Sequence, residues 1–278
     1  MGSLSEKRIA WGVALFTITV WGSTFISSKV LLNVYTPCQI MLCRFLLACV
    51  ILCLLRPRRL HLTLRQELGC ILLGLTGCSL YFLTENLIPV ERCHVIHGFL
   101  DDVIPFNEFF VIFYVSWFLL VAGSLAYSFF YDVESFKKLQ VYIMITQAVA
   151  MLCYIVYPSV QDLRPAVFPR QNFFTWVLGI IYSFDTPTGV CPSLHVAYSL
   201  GILSVALKDK DLSRWLKAAL ALFVLMVCMA VCFVKQHSSI DVVAALPVCL
   251  LAEILVYGKD YWKPKWQRLF LHAKKKLA

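Results

Sequence analysis

Charged residues are scarce in this sequence. Asp, Glu, Lys and Arg make up 15% of the chain, whereas they make up about 25% of a soluble domain. Hydrophobic residues make up 60%, against about half in soluble domains. The composition excludes an ordinary soluble enzyme and favours a helical protein that crosses a membrane several times.

Cysteine pairs with the CxxC spacing are also missing. None of the 12 cysteines forms a CxxC pair, and most lie inside apolar runs, where cysteine behaves as a small hydrophobic residue. Cys93 and Cys191 fall in predicted outer segments, so a disulfide between them stays open. The first apolar run follows Lys7 and Arg8 without a clear cleavage site, which favours a retained helix over a signal peptide.

Apolar runs of about 18 residues or more recur along the chain, and each is long enough to cross a bilayer as an α-helix. We therefore predict an all-α fold, a polytopic membrane helical bundle of about eight spans. The predicted spans lie near residues 10–30, 38–55, 68–88, 108–130, 139–157, 192–207, 218–234 and 240–257.

The basic residues are distributed unevenly between the two sides of these spans. Nineteen of the 25 Lys and Arg residues lie in the N-terminal segment, in every second connection and in the tail. Cytoplasmic loops are enriched in Lys and Arg, so both termini are predicted to be cytoplasmic, in a bacterial cell membrane. The net charge of +9 is then explained by topology and does not indicate nucleic-acid binding.

Polar residues gather at the outer ends of several spans, where such residues are costly and often functional. The sixth span begins near Ser193 and descends roughly 24 Å, and the seventh returns "KQHSSID" to the same surface. The fifth span ends outside and leads into "PSVQDLRP". Span length and topology therefore bring six residues to one outer face: Arg164, Ser193, His195, Lys235, His237 and Asp241.

These residue types fit phosphate chemistry. His237 and Asp241 are four residues apart and share one helix face, so the carboxylate can fix the imidazole tautomer and leave a nucleophile for phosphorus. His195 suits a general acid. Singly, such residues are often structural, and Lys235 alone could be a snorkelling lysine, but their joint occurrence favours a site. The candidate donors to phosphate oxygens are Arg164, Lys235 and Ser193.

At these positions the sequence resembles the type 2 phosphatidic acid phosphatase superfamily. That family's pattern is Lys-x6-Arg-Pro, then Pro-Ser-Gly-His, then Ser-Arg-x5-His-x3-Asp. The chain has "LRP" at 163–165, "PSLH" at 192–195 with leucine in place of glycine, and "HSSID" at 237–241. The resemblance extends over about residues 80–257.

The resemblance implies a role for each matched residue. His237 would be the nucleophile that forms a phosphohistidine, Asp241 would orient it, and His195 would protonate the leaving group. Arg164 and Ser193 would hold the phosphate. This mechanism requires no metal and no other cofactor.

Two motifs depart from the family pattern. The lysine of the first motif falls at Tyr157, and the Ser-Arg pair of the third falls at Ala230 and Val231. A basic residue two positions before the histidine, here Lys235, resembles the sphingomyelin synthase and inositol-phosphorylceramide synthase branch, which transfers a phospho-headgroup between lipids. Lys235 is therefore expected to replace the missing cation.

The N-terminal part resembles a different family. "WGSTFISSKVLL" and "GLTGCSLYFLTENL" are similar to the opening helices of EamA-type drug/metabolite transporters, which are built from two repeated halves. We predict an EamA-like segment at 1–79, a phosphatase-like domain at 80–257 and a basic cytoplasmic tail at 258–278. Two extra spans would thus precede a six-span core.

One outer segment, "HVIHGFLDDVIPFNE", has the donor types of a metal site. His94 and His97 could bind a metal with Asp101 or Asp102. A hydrogen-bonded loop over the site, which would help to recognise the substrate headgroup, is the favoured interpretation.

The sequence therefore predicts a membrane phosphoric ester hydrolase acting on a lipid phosphate or lipid diphosphate through a phosphohistidine. The alternatives are a phospho-headgroup transferase and a transporter-like protein, although a transporter would place its polar residues near mid-membrane. The expected partners are a lipid phosphate and the bilayer, without nucleic acid. Substrate, acceptor and oligomeric state stay open.

Overall fold

The computed structural model describes residues 88–265. The chain divides into two units, Met1–Ser79 and Leu80–Ala278, and every described residue belongs to the second. The predicted EamA-like segment lies outside the described residues. The first three predicted spans also lie outside them, except for Ile88 at the end of the third.

The described part of the chain is mainly helical. A short parallel pair joins β1 (His94–Val95) to β2 (Ser159–Val160), and a π-helical turn, Gly258–Trp262, follows the last α-helix. The α-helices are α1 (Phe99–Val103), α2 (Val111–Tyr131), α3 (Val133–Val156), α4 (Phe173–Phe184), α5 (Leu194–Lys208), α6 (Arg214–Phe233) and α7 (Ser239–Tyr257).

Four helical segments are long and apolar enough to cross a membrane. They are Glu108–Tyr131, Val133–Val156, Arg214–Phe233 and Ser239–Lys265, and they agree with four of the predicted spans. The predicted span 192–207 is occupied by α5, whose 15 residues fall short of the usual minimum of about 17. The helical, membrane-compatible character is thus confirmed for the described residues, whereas the total of about eight spans extends beyond them.

Short polar breaks separate successive helices. Asp132 is the only residue between α2 and α3, and its side chain accepts a hydrogen bond from the backbone N–H of Ser135. Ser213 caps α6 in the same way by accepting from the N–H of Leu216. Such caps satisfy N–H groups that have no partner within the helix, so each chain reversal is encoded locally.

The helices bring the predicted outer ends together. The N–H of Asn107, before α2, donates to the carbonyl of Phe233, the last residue of α6. The hydroxyl of Tyr154, near the end of α3, donates to the carbonyl of Pro192, before α5. We call this end of the bundle the site end, and the opposite end, which holds residues 132–138, 208–217 and 257–265, the basic end.

The charge asymmetry is present in the described residues. The basic end carries Lys137, Lys138, Lys208, Lys210, Arg214, Lys217, Lys259, Lys263 and Lys265, and the site end carries Arg92, Arg164, Arg170 and Lys235. Between the two ends the helices expose apolar side chains such as Leu222 and Leu250. This arrangement is compatible with a bundle that spans a bilayer.

Helix α5 is held by its neighbours. It packs against α2, α3, α6 and α7. A Cβ at Gly201 would lie 2.6 Å from the ring of Tyr142 on α3, so the close approach of these helices requires glycine. The Tyr142 hydroxyl donates to the carbonyl of Cys249 on α7 at 3.3 Å. These contacts fix the position of α5, which begins at the candidate site.

The segment 158–191, which lies between two predicted spans, has helical structure of its own. It contains α4, which begins at the cap Asn172. Arg170 and Asn172 both bind the carboxylate of Glu108, at 2.7 Å for Arg170 Nε and 3.0 Å for Asn172 Nδ2. Helix α4 is too short to cross a bilayer and exposes Phe173 and Trp176, so it forms an apolar flank of the site end.

Candidate active site

Two histidines and an aspartate form a continuous chain of contacts at the site end. His237 Nδ1 lies 3.2 Å from Asp241 Oδ2, and His237 Nε2 lies 3.3 Å from His195 Nδ1. Asp241 is fully buried, and only 8% of His237 is exposed. The three residues come from α5, from α7 and from the turn before α7, so the fold assembles them from two separate motifs.

The hydrogen-bond partners assign the protons of this chain. A carboxylate can only accept, so His237 Nδ1 donates to Asp241 and His237 Nε2 keeps its lone pair. His195 Nδ1 then donates to that lone pair. The atom of His237 that has nucleophilic character is therefore the one that faces His195.

The backbone supports the same arrangement. The side chain of Ser238 accepts from the N–H of Ile240 and so caps α7, and Asp241 Oδ2 accepts from the N–H of Ser238. The N–H of Ser193 donates to the carbonyl of Asp241 at 3.1 Å. The segment that begins α5 and the segment that begins α7 are therefore joined directly.

Aromatic side chains surround His195 on its helix-facing side. The indole of Trp117 donates to the carbonyl of His195 at 3.0 Å, and its ring centroid lies 4.3 Å from the imidazole. The ring of Tyr114 lies 4.8 Å from it. Helix α2 thus supplies an apolar wall that orients His195 and keeps water from that side.

Arg164 is linked to the histidine segment through Gln236. One terminal nitrogen of the guanidinium donates to Gln236 Oε1 at 2.5 Å, and the other donates to the carbonyl of Asp185 at 2.8 Å. The ring of Tyr182 lies 4.6 Å from the guanidinium carbon. Arg164 is thereby held beside the residue that precedes His237.

Six buried polar groups around these segments have no hydrogen-bond partner among the described residues. Buried polar groups are nearly always satisfied, so each exception needs an explanation such as a bound water, ion or substrate. Ser193 caps α5 without a side-chain cap hydrogen bond, which leaves its hydroxyl free for this purpose. The six groups are Ser193 Oγ, Arg164 Nε, His195 Nε2, Gln161 Nε2, Gln236 Nε2 and Asp241 Oδ1.

The side chain of Lys235 donates hydrogen bonds to the backbone of a neighbouring loop. Its ammonium donates to the carbonyls of Asp101 at 2.9 Å and Ile104 at 2.6 Å, and its backbone has a positive φ of 53°. These contacts assign Lys235 to holding the loop that contains α1. The phosphate-binding role that the sequence suggested for it stays a prediction, since none of its described contacts involves the histidines.

Asp101, which the sequence suggested only as a possible metal ligand, holds the histidine segment through hydrogen bonds. Its buried carboxylate accepts from the hydroxyl of Ser238 and from the N–H groups of Ser239, at 2.7 Å, and Gly98, at 2.8 Å. Burial raises the pKa of Asp101, but these hydrogen bonds outweigh burial and leave the pKa below its ordinary value. Lys235 and Asp101 therefore both link the segment that contains His237 to the loop that contains α1.

The three residues at which the sequence departs from the pattern it resembles have structural roles. Tyr157 stacks on His94 with ring centroids 4.2 Å apart, and Ala230 and Val231 are fully buried in α6. The carbonyl of Val231 accepts from the N–H of His237 at 3.0 Å. None of these three side chains can supply the missing cation.

The outer loop is hydrogen-bonded to its surroundings. His97 contacts Asp102 at 2.8 Å through Nε2 and Asp162 at 3.3 Å through Nδ1, so it joins the loop before α2 to the segment after α3. Among residues 88–265, no group of three or more His, Cys, Asp or Glu side chains is arranged to hold a metal ion. Cys93 and Cys191 are both free thiols.

No family model, curated protein or solved structure matched the chain in comparisons with known proteins.

Proposed function

We propose that this protein is an integral membrane phosphatase that acts on a lipid phosphate or lipid diphosphate through a phosphohistidine intermediate. The observation that supports this proposal most strongly is the contact chain from Asp241 through His237 to His195. It contains a nucleophile, a carboxylate that orients it and an acid–base partner on the nucleophile's free side.

In the first step, the hydrogen bond from His195 Nδ1 to His237 Nε2 breaks. The freed lone pair of His237 Nε2 attacks phosphorus, and the ester P–O bond, or the anhydride P–O bond of a diphosphate, breaks. The electron pair leaves with the ester oxygen, which takes a proton from the His195 imidazolium. The charge that develops on His237 is balanced by the Asp241 carboxylate at its Nδ1. The products of this step are a phosphohistidine and a free hydroxyl compound, or a lipid monophosphate when the substrate is a diphosphate.

In the second step, water attacks phosphorus and the P–N bond breaks. Neutral His195 accepts the water proton, and the electron pair of the broken bond returns to His237 Nε2. Inorganic phosphate leaves, and both histidines regain their starting states. Ser193 Oγ and Arg164 Nε, which are buried without partners, would donate to the phosphate oxygens in both steps.

The surroundings of the site fit a substrate that resides in a membrane. The histidines lie at one end of helices that are long enough to span a bilayer, and α4 exposes Phe173 and Trp176 beside them. A phosphate headgroup at the surface would reach the histidines while its acyl chains stay in the bilayer. We place this end on the outer face, because most basic residues lie at the other end.

Water is the proposed acceptor. Lys235 was the residue that favoured a headgroup transferase, and its ammonium instead binds the carbonyls of Asp101 and Ile104. The test is phosphate release from a panel of lipid phosphates and diphosphates with EDTA present, with and without lipid alcohols. Free phosphate is expected in both conditions. A new phospholipid formed only with the alcohol, without free phosphate, would establish the transferase alternative.

A further inference from the structure

The side-chain amide of Gln236 is buried beside the proposed nucleophile, and its nitrogen has no hydrogen-bond partner among the described residues. Only 2% of the residue is exposed, and its Oε1 accepts a hydrogen bond from Arg164. A guanidinium has donors only, so the oxygen must face Arg164 and the amide orientation is fixed. The Nε2 group, which can donate two hydrogen bonds, has no partner among the described residues.

Leaving an amide N–H group buried and unpaired costs free energy. Many other buried polar groups of the described part are satisfied, as the carboxylate of Asp101 and the hydroxyl of Ser159 illustrate. The unpaired Nε2 group of Gln236 is therefore expected to donate a hydrogen bond to a ligand. Its chain neighbour is His237, so the ligand is the one that His237 binds.

The proposed reaction requires several donors around phosphorus, and the family's additional cations are missing here. The positions of the pattern's Lys and Arg hold Tyr157 and Val231, and Lys235 donates to loop carbonyls. Among the residues in contact with the histidine segment, Arg164 remains as a cation, and it fixes the orientation of Gln236. The two side chains thus act as a unit.

We propose that Gln236 Nε2 is a phosphate-binding donor of this site, oriented by Arg164. The proposal rests on the proposed function, since it concerns the phosphate group that His237 attacks. The amide supplies hydrogen bonds without adding positive charge. It would contact the phosphate oxygens in the substrate and in the phosphohistidine.

The test uses the full-length protein and orthovanadate, a phosphate mimic, with binding followed by Trp fluorescence, because Trp117 contacts His195. Gln236→Met keeps the length of the side chain and removes the donor. Vanadate affinity should fall roughly tenfold, as expected for a buried hydrogen bond to a charged group. The same substitution at Gln140, in the first half of α3, is the matched control and should leave affinity unchanged.

Gln236→Glu separates binding from a structural role. An ionised Glu repels the anion, so affinity should fall further than in Gln236→Met, and it should recover as pH falls and the carboxyl becomes a donor. Wild-type affinity in both variants, with activity intact, would overturn this inference and leave the proposed function standing. If wild-type protein binds no vanadate and releases no phosphate, the proposed function fails and the inference fails with it.

Discussion

The carboxylate Oδ2 of Asp241 lies 3.2 Å from Nδ1 of His237, and the same oxygen accepts from the backbone N–H of Ser238. One buried carboxylate therefore caps the last long helix and orients the proposed nucleophile. The proposed catalytic arrangement is built into the helix start, so its geometry depends on α7 as a whole.

His237→Gln should abolish phosphate release, because no covalent intermediate can form without the imidazole. Asp241→Asn should be milder, with a loss on the order of 10⁴-fold in kcat, since the amide oxygen can accept the same hydrogen bonds but lacks the charge. Kinetics with a lipid phosphate in detergent would measure both effects. Equal losses in the two variants would contradict the assigned roles.

His195→Gln should lower kcat by about 10²–10⁴-fold, the range for loss of a general acid–base group. The loss should be smaller with a donor whose leaving group needs no protonation, because His195 supplies a proton in the first step. Comparing kcat/KM of the variant on an activated ester and on a lipid phosphate measures this difference, because kcat/KM reports phosphohistidine formation and not the water attack that follows. A uniform loss on both donors would indicate a structural role.

Lys235→Met should lower stability, because it leaves the carbonyls of Asp101 and Ile104 without their charged donor. Hydrogen bonds to charged groups contribute about 1.5–3 kcal/mol each. Thermal unfolding of the purified protein measures the change, with Lys210→Met at the basic end as control. Unchanged unfolding together with weakened vanadate binding would instead restore the phosphate-binding role predicted from the sequence.

The loop contact of His97 predicts a pH dependence of stability. Hydrogen bonds from His97 to Asp102 and Asp162 raise the pKa of the imidazole above its ordinary value of about 6.5. The stabilisation is therefore fully present below about pH 6.5 and is lost as pH rises through the raised pKa of the folded state. The Tm difference between wild type and His97→Gln should shrink over that window. A constant difference would exclude the ion pair as its cause.

The proposed orientation can be tested by labelling in intact cells. Ala166 lies exposed at the site end and Lys210 lies exposed at the basic end. In a background lacking Cys38, Cys93 and Cys191, Ala166→Cys should react with an impermeant thiol reagent, and Lys210→Cys should react only after lysis. The reverse pattern would overturn the assignment of the site to the outer face.

The sequence was sufficient to predict the meeting of His195, His237 and Asp241. Span lengths and the Lys/Arg distribution determine which helix ends share a surface, and the four-residue spacing of His237 and Asp241 determines their common face. Four spans within the described residues could be placed for the same reason, because apolar runs of that length have few alternatives.

The sequence was not sufficient to reveal the roles of Gln236, Asp101 and α4. A glutamine next to a histidine matches no sequence motif. The role of Gln236 follows only from the structure, in which its side-chain oxygen faces Arg164. Asp101 acts on Ser238 across 137 positions of the chain, a contact that tertiary packing creates. Helix α4 is too short for a span signal, although the cap at Asn172 marks its start.

The most direct test of the central claim is to isolate the phosphohistidine. A radiolabelled donor with an activated leaving group should load wild-type protein and the His195→Gln variant, in which water attack is slowed and label accumulates. The label should be stable to alkali, labile to acid and located by peptide mapping at His237, and it should be absent from His237→Gln. Phosphate release by His237→Gln at the wild-type rate, or label on another residue, would contradict the account.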